Sequence, residues 1–207
     1  MSQTDLKTFI ASVDAGVRPD LMAAGFRRVD AGTWNRRSGN DLNVIWIQGH
    51  SAEPLCCVNL GVHYAFLPKA GTEEAVSGDE IEQPECEIKL RLTADESAKD
   101  QWWPLTSRAA EHMHDLILGR GLELFDAYRL GHGIENLEAK DIESENAGLL
   151  RSVTKVRACL LLARIHEQAG RREECIEVAR LGLKLAGMAV GPKKALKDIL
   201  SRCGVPA

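Results

Sequence analysis

The side chains best suited to chemistry stand in a few places along this sequence. His112, Met113, His114 and Asp115 are consecutive. Imidazole and carboxylate are metal ligands, but residues two apart on a helix diverge by about 200°. His112 and His114 therefore cannot grip one ion, and a surface helix without a metal is expected there. Asn59 and His63 lie four residues apart in a run that alternates like a strand, so they share one face. Glu87, Lys89 and Arg91 alternate in the same way in a later run. A histidine beside a carboxylate is a general base, and an arginine holds anions. One reading of this polar sheet face is a small enzyme with His63 as base and Arg91 as anion holder. The plainer reading is a solvated outer face.

From Ala70 to Ile88 the chain carries seven acids (Glu73, Glu74, Asp79, Glu80, Glu82, Glu85, Glu87) and no Lys or Arg. Such a run is either a solvated loop or an acidic docking surface that speeds encounter with a basic partner. On the docking reading, Glu73, Glu74, Asp79, Glu80 and Glu82 meet the partner. Trp102 and Trp103 follow closely. At least one belongs in a core, and the other is placed to cap the sheet edge or anchor an interface.

Common catalytic signatures are missing. No GxSxG, HExxH or GxxxxGK motif occurs, and Gly119-Arg120-Gly121 and Gly131-His132-Gly133 lack the third glycine of a dinucleotide site. No catalytic residue, metal or cofactor is expected. Cys56, Cys57, Cys86, Cys159, Cys175 and Cys203 contain no CxxC pair, and the expectation is reduced, buried thiols in a cytoplasmic protein. Asp5 and Lys7 stand where a secretory leader would be apolar, and no apolar run is long enough to span a membrane. A net charge of -4 weighs against nucleic acid as partner. The chain has 207 residues, 44% of them hydrophobic and 27% charged, which is ordinary globular composition and enough for a sizeable core.

The elements that must position these groups follow from periodicity. Leu6, Phe9, Ile10, Val13, Val17 and Leu21 recur at helical steps over residues 4–24, with Pro19 expected to break or restart the helix near its end. Strand signals cover 26–29, 33–36, 42–48, 55–64 and 86–92, separated by turns such as Ser38-Gly39-Asn40-Asp41. The expected fold is α+β: an antiparallel sheet of four or slightly more strands with the N-terminal helix on one face, followed by an all-helical C-terminal region. Pro104 fits the first turn of a helix running to about Leu118, with Gly119 and Gly121 as interruptions. Residues 149–169 and 172–186 read as two helices about Gly170, and Gly191-Pro192 opens a last one through Arg202. The expected domains are 1–133, a linker or hinge at 134–147, and a helical subdomain at 148–207.

Two resemblances accompany this reading. Residues 158–186 resemble a tetratricopeptide hairpin in Leu162, Ala163, Cys175, Ala179 and Gly182. His166 and Gly187 depart from its pattern, and no second copy follows, so a repeat array is not expected. More of the chain, about residues 5–130, resembles the bacterial family DUF4304, a domain of unknown function. The resemblance rests on Gly25-Phe26-Arg27-Arg28, Trp34-Asn35-Arg36-Arg37, Val58-Asn59-Leu60-Gly61-Val62, the run from Cys86 to Leu92, and Trp102-Trp103. It implies no established enzyme activity. By analogy with other small α+β bacterial proteins, it implies a non-catalytic binding module, such as an immunity protein that neutralises a toxin with a basic domain. The other readings are the enzyme on the polar sheet face and an adaptor that binds through its C-terminal helices.

Overall fold

Two strands of strict alternation form the centre of the computed structural model, which describes residues 3–95, 97–144 and 148–206. In β3 (Asp41–Gly49) and β4 (Leu55–Tyr64), Ile45 faces Leu60 and Ile47 faces Val58, and all four side chains are buried. β1 (Arg27–Asp30) and β2 (Thr33–Ser38) extend the sheet beyond β3, while β5 (Ile88–Leu92) pairs with β4 on its other side. β6 (Trp103–Pro104) pairs with the start of β4, completing a six-stranded antiparallel sheet. Pro104 therefore ends a strand rather than opening a helix. The helix start falls instead to Thr106, whose hydroxyl accepts from the N–H of Ala109 at 3.3 Å.

The first face of the sheet carries Trp34, Ile45, Ile47, Val58, Leu60 and Val62, and α1 (Gln3–Ala23) covers it. Phe9, Val13, Val17 and Leu21 form the buried stripe of α1. On the same helix, buried Asp14 accepts from Arg28 Nε at 2.8 Å and Arg18 Nη2 at 2.9 Å, tying α1 to β1. Pro19 does not break the helix: it lies on the exposed side, as does Ala15, so water can serve the carbonyl left without its donor. α2 (Ser107–Leu116) sets Met113 Sδ 3.7 Å from Cys56 Sγ. The glycines after it do not interrupt the helix. They sit in one π-helical turn, Ile117–Gly121, that leads directly into α3 (Leu122–Ala127).

The second face is not solvated, contrary to the alternation read from sequence. The segment from Ala65 to Glu87 folds back over it. Ile81 and Cys86 pack on Leu42 and Val44, with Ala65 and Val76 at the margin. Hydrogen bonds pin this cover: Ile81 N–H to Asn35 Oδ1 at 3.0 Å, and Gln83 Nε2 to the Leu60 carbonyl at 3.2 Å. A strand period cannot announce the cover, because the apolar residues that form it are scattered through an acidic run.

The chain divides into two units, Met1–Asp126 and Ala127–Ala207. The second is helical: α4 (Ala139–Glu143), α5 (Lys155–Gln168), α6 (Arg172–Leu185) and α7 (Val190–Arg202). Of the stretch expected as a linker, residues 145–147 lie outside the described residues. The rest carries a 3-10 turn and α4, with Ile134, Ala139 and Ile142 buried. α5 begins at Lys155, six residues later than its apolar pattern suggests; a short 3-10 turn at Gly148–Leu150 takes up the start. The α5–α6 turn uses Gly170 at φ 72. Where α5, α6 and α7 meet, a Cβ on Gly182 would lie 2.8 Å from both Cys159 Cβ and Leu196 Cδ1, so only glycine permits this approach. Among the described residues, no helix is long and apolar enough to cross a membrane.

Candidate functional site

An opening remains on the second sheet face. Thr33 pairs with Asp30 on one side and Trp46 on the other, and alternation turns all three toward this face. The returning segment stops short of them, held at Ile81 by Asn35. What remains is a cleft of about 540 Å³ lined by Val29, Asp30, Thr33, Asn35 and Trp46 from the strands and Glu80 to Pro84 from the returning segment. Trp46 and buried Ile81 give it an apolar floor, and exposed Val29 and Pro84 add apolar surface at its margin. Asp30, Glu80 and Glu82 put carboxylates at the rim. An apolar trough with an acidic mouth matches an arginine or lysine side chain, whose methylene stem needs cover and whose cationic head needs oxygen.

The acidic run is less naked than its sequence. Arg27 Nη2 lies 3.1 Å from Glu80 Oε1, and Arg37 Nη1 lies 3.4 Å from Asp79 Oδ1. Lys69 Nζ bridges Glu74 and Glu85, each at 3.0 Å. Burial alone would raise the Glu85 carboxyl, but Lys69 and the Glu82 N–H outweigh it and hold it below the usual carboxylate range. Cations from outside the run thus offset part of its field. Glu73, at an exposed position, and Glu74 line no part of the cleft, whereas Glu80 and Glu82 stand on it.

The structure separates His63 from Arg91 and Asn59. His63 is fully buried, with Nδ1 accepting from the Glu87 N–H at 3.2 Å and Nε2 3.4 Å from the Leu67 carbonyl. Arg91 faces Asn59, four residues along β4 from His63, or about 13 Å. Arg91 Nε holds Asp100 at 2.8 Å, its guanidinium carbon lies 4.9 Å from the Trp102 ring centre, and one of its N–H groups contacts Cys57 Sγ. Burial pushes the Cys57 thiol up, although Arg91 draws it the other way. Asn59 donates to Gln48 Oε1 at 3.1 Å. These are bonds within the fold, with no shared point for a substrate between His63 and Arg91.

The tryptophan pair divides. Trp103 is buried, its ring edge-on to His112 at 6.4 Å, so it cannot touch a partner. Trp102 is half-buried between Arg91 and His50 and reaches the surface. His114 Nδ1 lies 2.9 Å from its neighbour Asp115, away from His112. Among the described residues no three His, Cys, Asp or Glu side chains gather where an ion could sit. Sequence reasoning missed Trp46, Val29 and Asp30. No signal in the sequence marks them: Leu42, Val44, Trp46 and Gln48 alternate with Asn43, Ile45 and Ile47, so neither face of the strand reads as the polar one.

Residues 17–117 match the family model described as Domain of unknown function (DUF4304), within the stretch over which the sequence resembles that family. The matched segment contains every residue that lines the cleft. No curated protein and no solved structure matches the chain.

Proposed function

We propose that this chain, built on a DUF4304 domain at residues 17–117, is a non-catalytic protein-binding module. Its cleft receives a cationic side chain of a protein partner. The observation that carries this reading is the pairing of an apolar floor at Trp46 with the carboxylates of Asp30, Glu80 and Glu82 around one opening. Half-exposed Trp102 supplies a second contact on the same sheet face, and the remaining acids steer the partner from a distance. The finer reading is an immunity protein of the bacterial cytoplasm. A toxin domain that handles nucleic acid must present basic side chains, and a module that occupies them blocks the toxin.

The test is co-purification and calorimetry with the proteins encoded on either side of this chain's own gene, paired with growth assays of those proteins expressed alone. The reading expects one neighbour to be growth-inhibiting alone, harmless beside this chain, and bound more weakly by Trp46→Ala. Binding that is indifferent to Trp46→Ala and Glu82→Gln overturns the cleft. Binding without any toxicity overturns the immunity reading and leaves the binding module.

A second reading, an adaptor that docks through its C-terminal helices, is favoured by the turn between α6 and α7. There Leu185, Met188 and Val190 are exposed, Met188 almost completely at 96%. Met188→Ser separates the two: it weakens an adaptor and leaves cleft-mediated binding unchanged.

A further inference from the structure

The helical unit holds a pair of thiols already in contact. Cys175, on the first turn of α6, points its sulfur at Cys203, which caps the C-terminus of α7, and the two Sγ atoms lie 3.7 Å apart. Cys175 is buried and Cys203 half-buried, so Cys203 is the more accessible residue of the two. The neighbourhood is held in place on both sides. Arg172 donates to the Cys203 carbonyl through Nε at 3.1 Å and Nη2 at 2.6 Å. Arg202 grips Glu167 of α5 through two bonds, at 2.6 and 2.8 Å. Cys175 Sγ also donates to the Ala163 carbonyl at 3.3 Å, and this weak thiol bond is the one contact that closure gives up. Closing the gap from 3.7 Å to a sulfur–sulfur bond of about 2.05 Å is a small side-chain motion within anchored backbone.

We propose that Cys203 and Cys175 are a peroxide-modification site that closes to a reversible disulfide. The thiolate of Cys203 attacks one oxygen of hydrogen peroxide. The oxygen–oxygen bond breaks, Cys203 becomes a sulfenic acid, and the departing hydroxide takes up the thiol's proton as water. Cys175 then attacks Sγ of Cys203. The sulfur–sulfur bond forms, the sulfur–oxygen bond breaks, and the second hydroxide leaves with the proton of Cys175 as a second water. Two thiols are oxidised, one peroxide is reduced, and a dithiol reverses the step by exchange. Cys203 is the sensing sulfur because it is the accessible one, and Cys175 resolves it. The bond ties the C-terminal end of α7 to the start of α6, in a unit where all other contacts between these helices are non-covalent.

The experiment treats the full chain with hydrogen peroxide, blocks remaining thiols, and maps peptides without reduction. The expected result is a linked pair of peptides carrying Cys175 and Cys203, a mass loss of about 2 Da per chain, and recovery of both thiols with dithiothreitol. Cys203→Ser, at a half-buried position that tolerates the change, should abolish the link and leave Cys175 unmodified. Cys175→Ala should leave Cys203 trapped as an oxygenated acid that a sulfenic-acid reagent labels. Hydrogen exchange should slow at the C-terminal turn of α7 in the oxidised wild type. A wild-type Cys203 that gains oxygen without linking overturns the proposal, and so does a link to any other cysteine or to a second chain.

Discussion

The backbone N–H of Glu87 donates to Nδ1 of His63 across 3.2 Å, so the last residue before β5 is fastened to the far end of β4. With Nδ1 accepting, the ring proton sits on Nε2, which faces the Leu67 carbonyl at 3.4 Å. His63 is thereby a clasp at both ends of the returning segment. His63→Ala removes both contacts and takes this acceptor from the part-buried Glu87 N–H. The expected loss is about 1–3 kcal/mol in urea unfolding. A loss below about 0.5 kcal/mol would show that the clasp is not formed.

Gly61 tests the same cover by sterics. A Cβ there would lie 2.6 Å from Cys86 Sγ and 3.2 Å from Cys86 Cβ, so the returning segment must lift. Gly61→Ala should cost about 1–3 kcal/mol through overpacking. Gly119→Ala, where a Cβ would meet nothing within 4 Å, should be neutral or slightly stabilising in the same melts. Equal behaviour of the two variants would place the segment elsewhere than over Gly61.

Much of this arrangement was legible in the sequence, and the limit has a physical shape. The alternation of Val58, Leu60 and Val62 marks a strand with one core face, and Phe9, Val13 and Val17 mark the helix that covers it. Periodicity reports what an element does to itself. The cover of the second face depends on Ile81 and Cys86 meeting Leu42 and Val44, residues joined only by the fold. For the same reason the acidic run reads as unopposed: its partners Arg27 and Arg37 belong to strands far back in the chain. Trp46 lies in a β-rich run with nothing in the sequence to set it apart, and only the position of the returning segment leaves it beside an opening.

His166 gives the helical unit a pH dependence. It is buried, with Nε2 at 3.1 Å from the Leu137 carbonyl and Nδ1 without a hydrogen-bond partner. Burial lowers its proton affinity, and Arg171 adds to that, against the opposing pull of the Leu137 carbonyl, Glu174 and Glu135. The folded value therefore lies below the unfolded one of about 6.5. Above that pH both states are neutral and His166 contributes no pH dependence. Below it the unfolded chain binds the proton first, so stability falls as pH drops from about 6.5 through the folded value. Denaturant midpoints at pH 7.5 and 5.5 should differ more for the wild type than for His166→Gln. Identical differences would contradict this assignment.

The central claim is that the cleft, and not the acidic run as a whole, recognises the partner. Its most direct test is stopped-flow association with the neighbouring-gene partner at low and high salt, using two charge-neutralised variants. One carries Asp30→Asn, Glu80→Gln and Glu82→Gln; the other carries Glu73→Gln and Glu74→Gln. The account predicts that the first slows association about tenfold or more at low salt and shortens the lifetime of the complex, and that salt shrinks the effect on the on-rate. The second should slow association by less and leave the lifetime unchanged. Equal effects of the two variants, or a complex whose lifetime ignores the cleft carboxylates, would contradict it.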